Sequence, residues 1–207
     1  MRPGPRRSLA QSDIVAAAFE ILEQSGFAAV SIRGVAGALG LTPTAMYTYF
    51  PSKQDLLRAM VDELFAGVTA DASGETDAAR ARLLGAAVEL RERLRDHPGS
   101  VTLVTGHGVA GSGTMALIER LGQGFADAGL TVDDAARAAH ALLAHTVGQV
   151  ALEQAWGEAS ADDSEAVLWS DEPARPVADA GERLGLRAGD PVEFRTSAER
   201  LIAAWAA

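Results

Sequence analysis

Residues 31–57 read SIRGVAGALGLTPTAMYTYFPSKQDLL, and the order of caps, apolar positions and breakers in this stretch decides the fold. Ser31 can cap a helix whose residues Ile32, Val35, Ala36 and Leu39 recur on one face. Gly40 stands where a helix C-terminus needs a left-handed residue. Thr42 is a second cap, and Pro43 follows at a first helical position, where a missing N–H costs nothing. Ser52 and Asp55 have the spacing of a capping box for a third helix, with Lys53 in its first turn. The middle helix is too short to bury much surface. Its neighbourhood carries the hydroxyls of Thr44, Tyr47, Thr48 and Tyr49, side chains suited to phosphates and base edges. The spacing therefore predicts a helix-turn-helix followed by a longer helix.

The run PTAMYTYFPSKQDLL (43–57) resembles the recognition segment of the TetR family of one-component bacterial transcription regulators. Upstream, Ala17-Ala18-Phe19 to Gly26-Phe27, then Val30-Ser31-Ile32-Arg33, is similar to that family's first helix and its entry into the helix-turn-helix. The likeness covers roughly residues 8–60. It implies that Arg33, Thr42, Thr44, Tyr47, Tyr49 and Lys53 touch DNA, with Thr48 beside them. Tyr47 and Lys53 are expected at phosphates, and Pro43 and Thr44 at base edges and thymine methyls.

The chain has 207 residues, 48% of them hydrophobic and 5% aromatic, and alternating β-branched patterns are nearly absent. The expected class is all-α; together with the TetR resemblance, this implies an N-terminal three-helix helix-turn-helix domain over 1–60 and a C-terminal helical ligand-binding and dimerisation domain over 61–207. No apolar run reaches the roughly 18 residues of a membrane span, and the basic start MRPGPRRSLAQ is not followed by an apolar signal core. There is no cysteine, which fits a reducing cytoplasm. The net charge of −10 hides a split. Residues 1–60 carry Arg2, Arg6, Arg7, Arg33, Lys53 and Arg58 against Asp13, Glu20, Glu23 and Asp55, so all the excess acid lies in the body. A modestly basic head suits phosphate contact in two copies, and the acidic body reads as a solvated face.

Along the rest of the chain, residues 1–8 read as a disordered tail. A first helix is expected over 12–24, with Ile14, Val15, Ala18, Phe19 and Leu22 inward. Ala72 to Thr76 reads as a linker, 77–96 as a helix, and 100–105 as a short segment. The glycine-rich run 106–113 lacks the strand and lysine of a phosphate loop and reads as a helix junction. Further helices are expected over 114–128, from the Thr131 cap to about Trp156, and from the Asp190 cap to Trp205. The acidic stretch 158–176 reads as a mobile loop.

The TetR resemblance implies a body that binds a small molecule and dimerises through its last two long helices. The segment HALLAHTVGQVALEQ (140–154) and the final VEF…ERLI (192–202) resemble the tetracycline-repressor type of C-terminal domain. Leu64, Leu103, His107, Met115, Ile118, Phe125, His145, Gln149 and Trp156 are the candidate lining of a largely apolar effector pocket. His107, His145 and Gln149 are its polar contacts. His140 and His145 are five apart, the wrong spacing for a same-face metal pair. No metal or other cofactor is expected, and no nucleophile or His-Glu-x-x-His motif supports an enzyme. The expected function is a cytoplasmic, homodimeric repressor that leaves a near-palindromic DNA operator when a small organic effector binds. An activator, a constitutive DNA binder, and a helical ligand-binding or enzymatic protein with a vestigial helix-turn-helix are the alternatives.

Overall fold

The computed structural model describes residues 9–69, 76–105, 111–162 and 189–205; at 76 and 156–162 it describes the backbone alone. Among the described residues the chain is helical, with one 3₁₀ turn and no strand. It forms two compact units, residues 1–68 with 92–119 and residues 69–91 with 120–207.

The first unit holds α1 (Gln11–Ser25), the 3₁₀ turn Phe27–Ala29, α2 (Ile32–Ala38), α3 (Pro43–Met46) and α4 (Lys53–Ala66). It also holds the end of α5 (Thr76–Asp96), α6 (Ser100–Thr105) and the start of α7 (Ser112–Asp127). α1 buries Ile14, Val15, Ala18, Phe19 and Leu22, the stripe its sequence spacing sets. α4 buries Leu56, Leu57, Met60, Val61, Leu64 and Phe65 at the same period.

The helix boundaries follow from their caps. Gly34 N donates to Ser31 Oγ (3.0 Å), Ala45 N to Thr42 Oγ1 (3.2 Å) and Asp55 N to Ser52 Oγ (3.2 Å). α2 ends in a Schellman motif: Leu41 N donates to the Ala36 carbonyl and Gly40 N to that of Gly37, with Gly40 at φ 65°. That left-handed residue makes the chain reverse sharply, and so sets α3 across α2.

The second unit holds the first part of α5, the rest of α7, α8 (Val132–Asp162) and α9 (Pro191–Trp205). Arg91 of α5, only 1% exposed, is its polar centre. The guanidinium donates to Glu153 Oε1 of α8 through Nε (3.0 Å) and to the Gly189 carbonyl through Nη2 (2.8 Å), and lies 5.1 Å from the Phe194 ring centroid of α9. One buried cation thus ties three elements together.

Two boundaries differ from expectation. α7 begins at Ser112, inside the glycine-rich run, because its cap is supplied from α4. α8 continues to Asp162, so residues 158–162 are helix and not loop. Gly157 costs about 1 kcal/mol against Ala, and the alanines around it carry the helix through. The tail 1–8, most of the 72–76 linker, His107 and most of the 158–176 stretch lie outside the described residues.

Candidate nucleic-acid interface

The recognition segment is one helical turn standing on two anchors. Met46 and Phe50 are buried in the first unit, and between them the chain turns so that Tyr47 is 54% exposed. Thr48 donates its hydroxyl to the Ala45 carbonyl (2.7 Å), closing the turn. Gln11 Nε2 donates to the Tyr49 carbonyl (3.0 Å), pinning the end of the segment to the start of α1. Thr42, Pro43, Thr44, Tyr47 and Thr48 are exposed and Tyr49 is half-buried. Arg33 on α2 and Lys53 on the first turn of α4 are exposed beside them, and Lys53 Nζ lies 5.5 Å from the Phe27 ring centroid. The eight candidate residues therefore fall on α2, α3 with its flanking cap and turn, and the start of α4, all in one unit, offering two cations, hydroxyl groups and a proline ring. This set can bind phosphate oxygens and enter a groove.

Sequence reasoning missed Gln11. Its partner is 38 residues away, and no local pattern marks it.

The candidate effector residues do not fall in one unit. Leu64, Leu103, Met115 and Ile118 belong to the first, and Phe125, His145, Gln149 and Trp156 to the second. Leu64, Leu103 and Phe125 are buried, whereas Met115 is 59% exposed. A cleft of about 350 Å³ in the first unit is walled by one face of α1 (Val15, Phe19, Glu23), by Glu63 and Leu64 of α4 and by Arg93 and His97 of α5. Leu64 is the one effector candidate lining it. Across its edge His97 Nδ1 lies 2.6 Å from Glu23 Oε1.

In the second unit His145 is half-buried. Ser197 gives its one hydroxyl proton to the Phe194 carbonyl (2.8 Å), so at 3.0 Å it accepts from His145 Nε2. That bond selects the Nε2–H tautomer. Burial also lowers the imidazole pKa below its ordinary value, which favours the neutral ring. Among the described residues no group of three His, Cys, Asp or Glu could hold a metal ion.

The model of bacterial regulatory proteins of the tetR family matches residues 14–60, and that of the tetracycline-repressor-like C-terminal domain matches residues 73–178, about half of the chain. The chain belongs to the TetR family. The TetR helix-turn-helix match covers all eight candidate DNA-contacting residues. An HTH-type transcriptional regulator of Saccharopolyspora erythraea is 30% identical over 72% of this chain and 62% of its own. The chain thus spans about three-fifths of the length of the curated relatives it matches.

Solved TetR structures overlay nearly the whole chain. A possible TetR family regulator from Streptomyces coelicolor A3(2) is 26% identical, with TM-score 0.76 over 94% of this chain and 98% of that one. A TetR variant from Acinetobacter baumannii AYE in complex with minocycline is 25% identical, with TM-score 0.71 over 96% and 94%. The similarity is to regulators of transcription, which are not enzymes. No described helix is long and apolar enough to cross a membrane.

Proposed function

We propose that this TetR-family chain is a homodimeric repressor that reads a near-palindromic operator and releases it when a small organic effector binds. One observation carries the DNA-reading half: an exposed Pro43-Thr44…Tyr47 surface rests on the buried pair Met46 and Phe50, with Arg33 and Lys53 exposed on either side. Pro43 and Thr44 are assigned to base edges and thymine methyls, and Tyr47, Lys53 and Arg33 to phosphates. Six cations in the first 60 residues are few for one copy, so two heads in successive major grooves, about one helical turn apart, supply the affinity.

The effector half rests on the C-terminal family match and on the A. baumannii relative's complex with minocycline. Neutral His145, with Nε2 engaged by Ser197, keeps Nδ1 as an acceptor, and Gln149 follows one turn later on α8. These two groups are assigned to orient a largely apolar ligand. Moving a mostly bound population to a mostly free one takes roughly 5.5 kcal/mol of differential affinity. A thermal-shift screen of uncharged and amphiphilic organic molecules, followed by operator release, tests this half. Hits that raise the melting temperature and release DNA support it. Hits whose affinities are untouched by both His145→Ala and Gln149→Ala remove the assigned pocket.

A further inference from the structure

Gly111 and Gly113, on either side of the first residue of α7, let α4 come close enough to cap that helix. Gly111 precedes the first residue of α7 and has no side chain with which to cap it. The cap comes instead from α4: Asp62 Oδ1 accepts from Gly113 N (2.7 Å), and Asp62 Oδ2 accepts from the Ser112 hydroxyl (2.9 Å). A carboxylate here also meets the positive end of the α7 dipole. The approach is close enough to exclude side chains. A Cβ on Gly113 would lie 2.6 Å from the Asp62 Cα and 2.5 Å from Oδ1, and one on Gly111 would lie 2.9 Å from Oδ1. The obstacle at Gly113 includes backbone, which a rotamer change cannot remove. Both oxygens of one α4 residue and two glycines of the α7 start therefore fix these helices against each other, all within the first unit.

Nine residues before Asp62, α4 begins with Lys53, roughly 13 Å away along the same rigid helix. A small rotation of α4 about the Asp62 contact moves Lys53 and the recognition segment that leads into it. α7 is one continuous helix whose residues from Arg120 onward belong to the second unit.

We propose that Asp62 is a positioning residue for DNA recognition: by locking α4 to the first turn of α7, it sets which spacing of operator half-sites the two heads accept. This rests on the paired-head reading above.

The test uses full-length wild type, Asp62→Asn, Asp62→Ala and Gly113→Ala. Binding is measured by fluorescence anisotropy on duplexes carrying a half-site pair selected by the wild type, with the spacer lengthened or shortened one base pair at a time. Asn retains an acceptor that caps a helix nearly as well as Asp, so Asp62→Asn should keep the wild-type spacing profile. In Asp62→Ala and Gly113→Ala the ratio of affinities between the best and the next spacing should fall roughly fivefold, the size of one lost cap. A contact that merely stabilised the fold would lower affinity by the same factor at every spacing and leave that ratio unchanged, and this result overturns the proposal.

Amide exchange on DNA-free protein gives a second readout. The Gly113 N–H and the α4 amides should be protected in wild type and exchange faster in Asp62→Ala. Rapid exchange of Gly113 N–H in wild type overturns the lock outright. If the wild type binds no paired-site duplex, the operator reading fails. Exchange then decides the lock: protection lost on both helices supports it, and α4 amides unmoved by Asp62→Ala overturn it.

Discussion

Tyr47 has the burial pattern of a recognition side chain: a large, half-polar ring held in solvent between two buried neighbours. Tyr47→Ala removes it without touching Met46 or Phe50, so the melting temperature should hold. Binding should weaken on all sequences alike, because a phosphate contact carries no base information. Lys53→Ala should also weaken binding uniformly, and should make the salt dependence shallower by about one unit in the log–log slope. Thr44→Ala should instead change which base is preferred. Equal affinities for wild type and both phosphate variants in anisotropy titrations would remove those two roles.

His145 gives a residue-scale prediction with a sign. Its folded pKa lies below the ordinary value of 6.5, so over the window below about 6.5 the unfolded chain takes up the proton more readily. The stabilising contribution of the neutral ring is present above that window and is lost as the pH falls through it. The melting temperature of wild type should therefore drop between pH 7 and pH 5 by more than that of His145→Gln, whose amide can still donate to Ser197. Parallel melting curves across that range would contradict the burial-driven shift.

Among elements, the buried Arg91–Glu153 pair joins α5 to α8 in the second unit. Arg91→Met leaves the Glu153 carboxylate, 9% exposed, without its main counter-charge. The expected cost is roughly 3–5 kcal/mol, read as a lowered denaturant midpoint. Adding Glu153→Met should recover most of it, since a buried ion pair and a well-packed apolar pair are often close in stability. In the first unit, Gly40→Ala forces a left-handed alanine at φ 65° and should cost about 1–2 kcal/mol while leaving every proposed DNA-contacting side chain in place.

These elements also mark what the sequence made legible. Helices α2, α3 and α4 start where Ser31, Thr42 and Ser52 foretold, because each cap lies within three residues of the amide it binds. The inward stripe of α1 was readable for the same reason: periodicity is local. The start of α7 was not, since its cap is Asp62, about fifty residues upstream, and the glycines around Ser112 read as a break. The same holds for Gln11 under Tyr49, and for Ser197, which fixes the tautomer of His145 from the opposite helix. The extension of α8 past Gly157 was missed because a glycine and a run of acids read as a break, while the surrounding alanines favour helix. The candidate DNA-contacting residues could be read as a group because they lie within one short stretch of chain, from Arg33 to Lys53, and their exposure follows from the local caps and turn. The effector set was assembled from separate helices by inference, and its members divide between the two units.

At the scale of the molecule, the charge split shapes the function. On the proposed reading, a chain of net charge −10 meets DNA through the head that carries the positive excess, and binding should weaken with salt by a log–log slope set by the number of phosphates that head neutralises. In the proposed dimer, α8 and α9 pair two copies so that two such heads meet one operator. A monodisperse, folded monomer at micromolar concentration in analytical ultracentrifugation would contradict it.

Whether the surface around Tyr47 reads DNA sequence is tested most directly by selection of duplexes from a random pool with the wild-type protein, the bound fraction being sequenced. Enrichment of a near-palindromic motif with half-sites about one helical turn apart is the expected result. A pool that returns unenriched after repeated rounds at low salt would contradict a DNA-reading function for this chain.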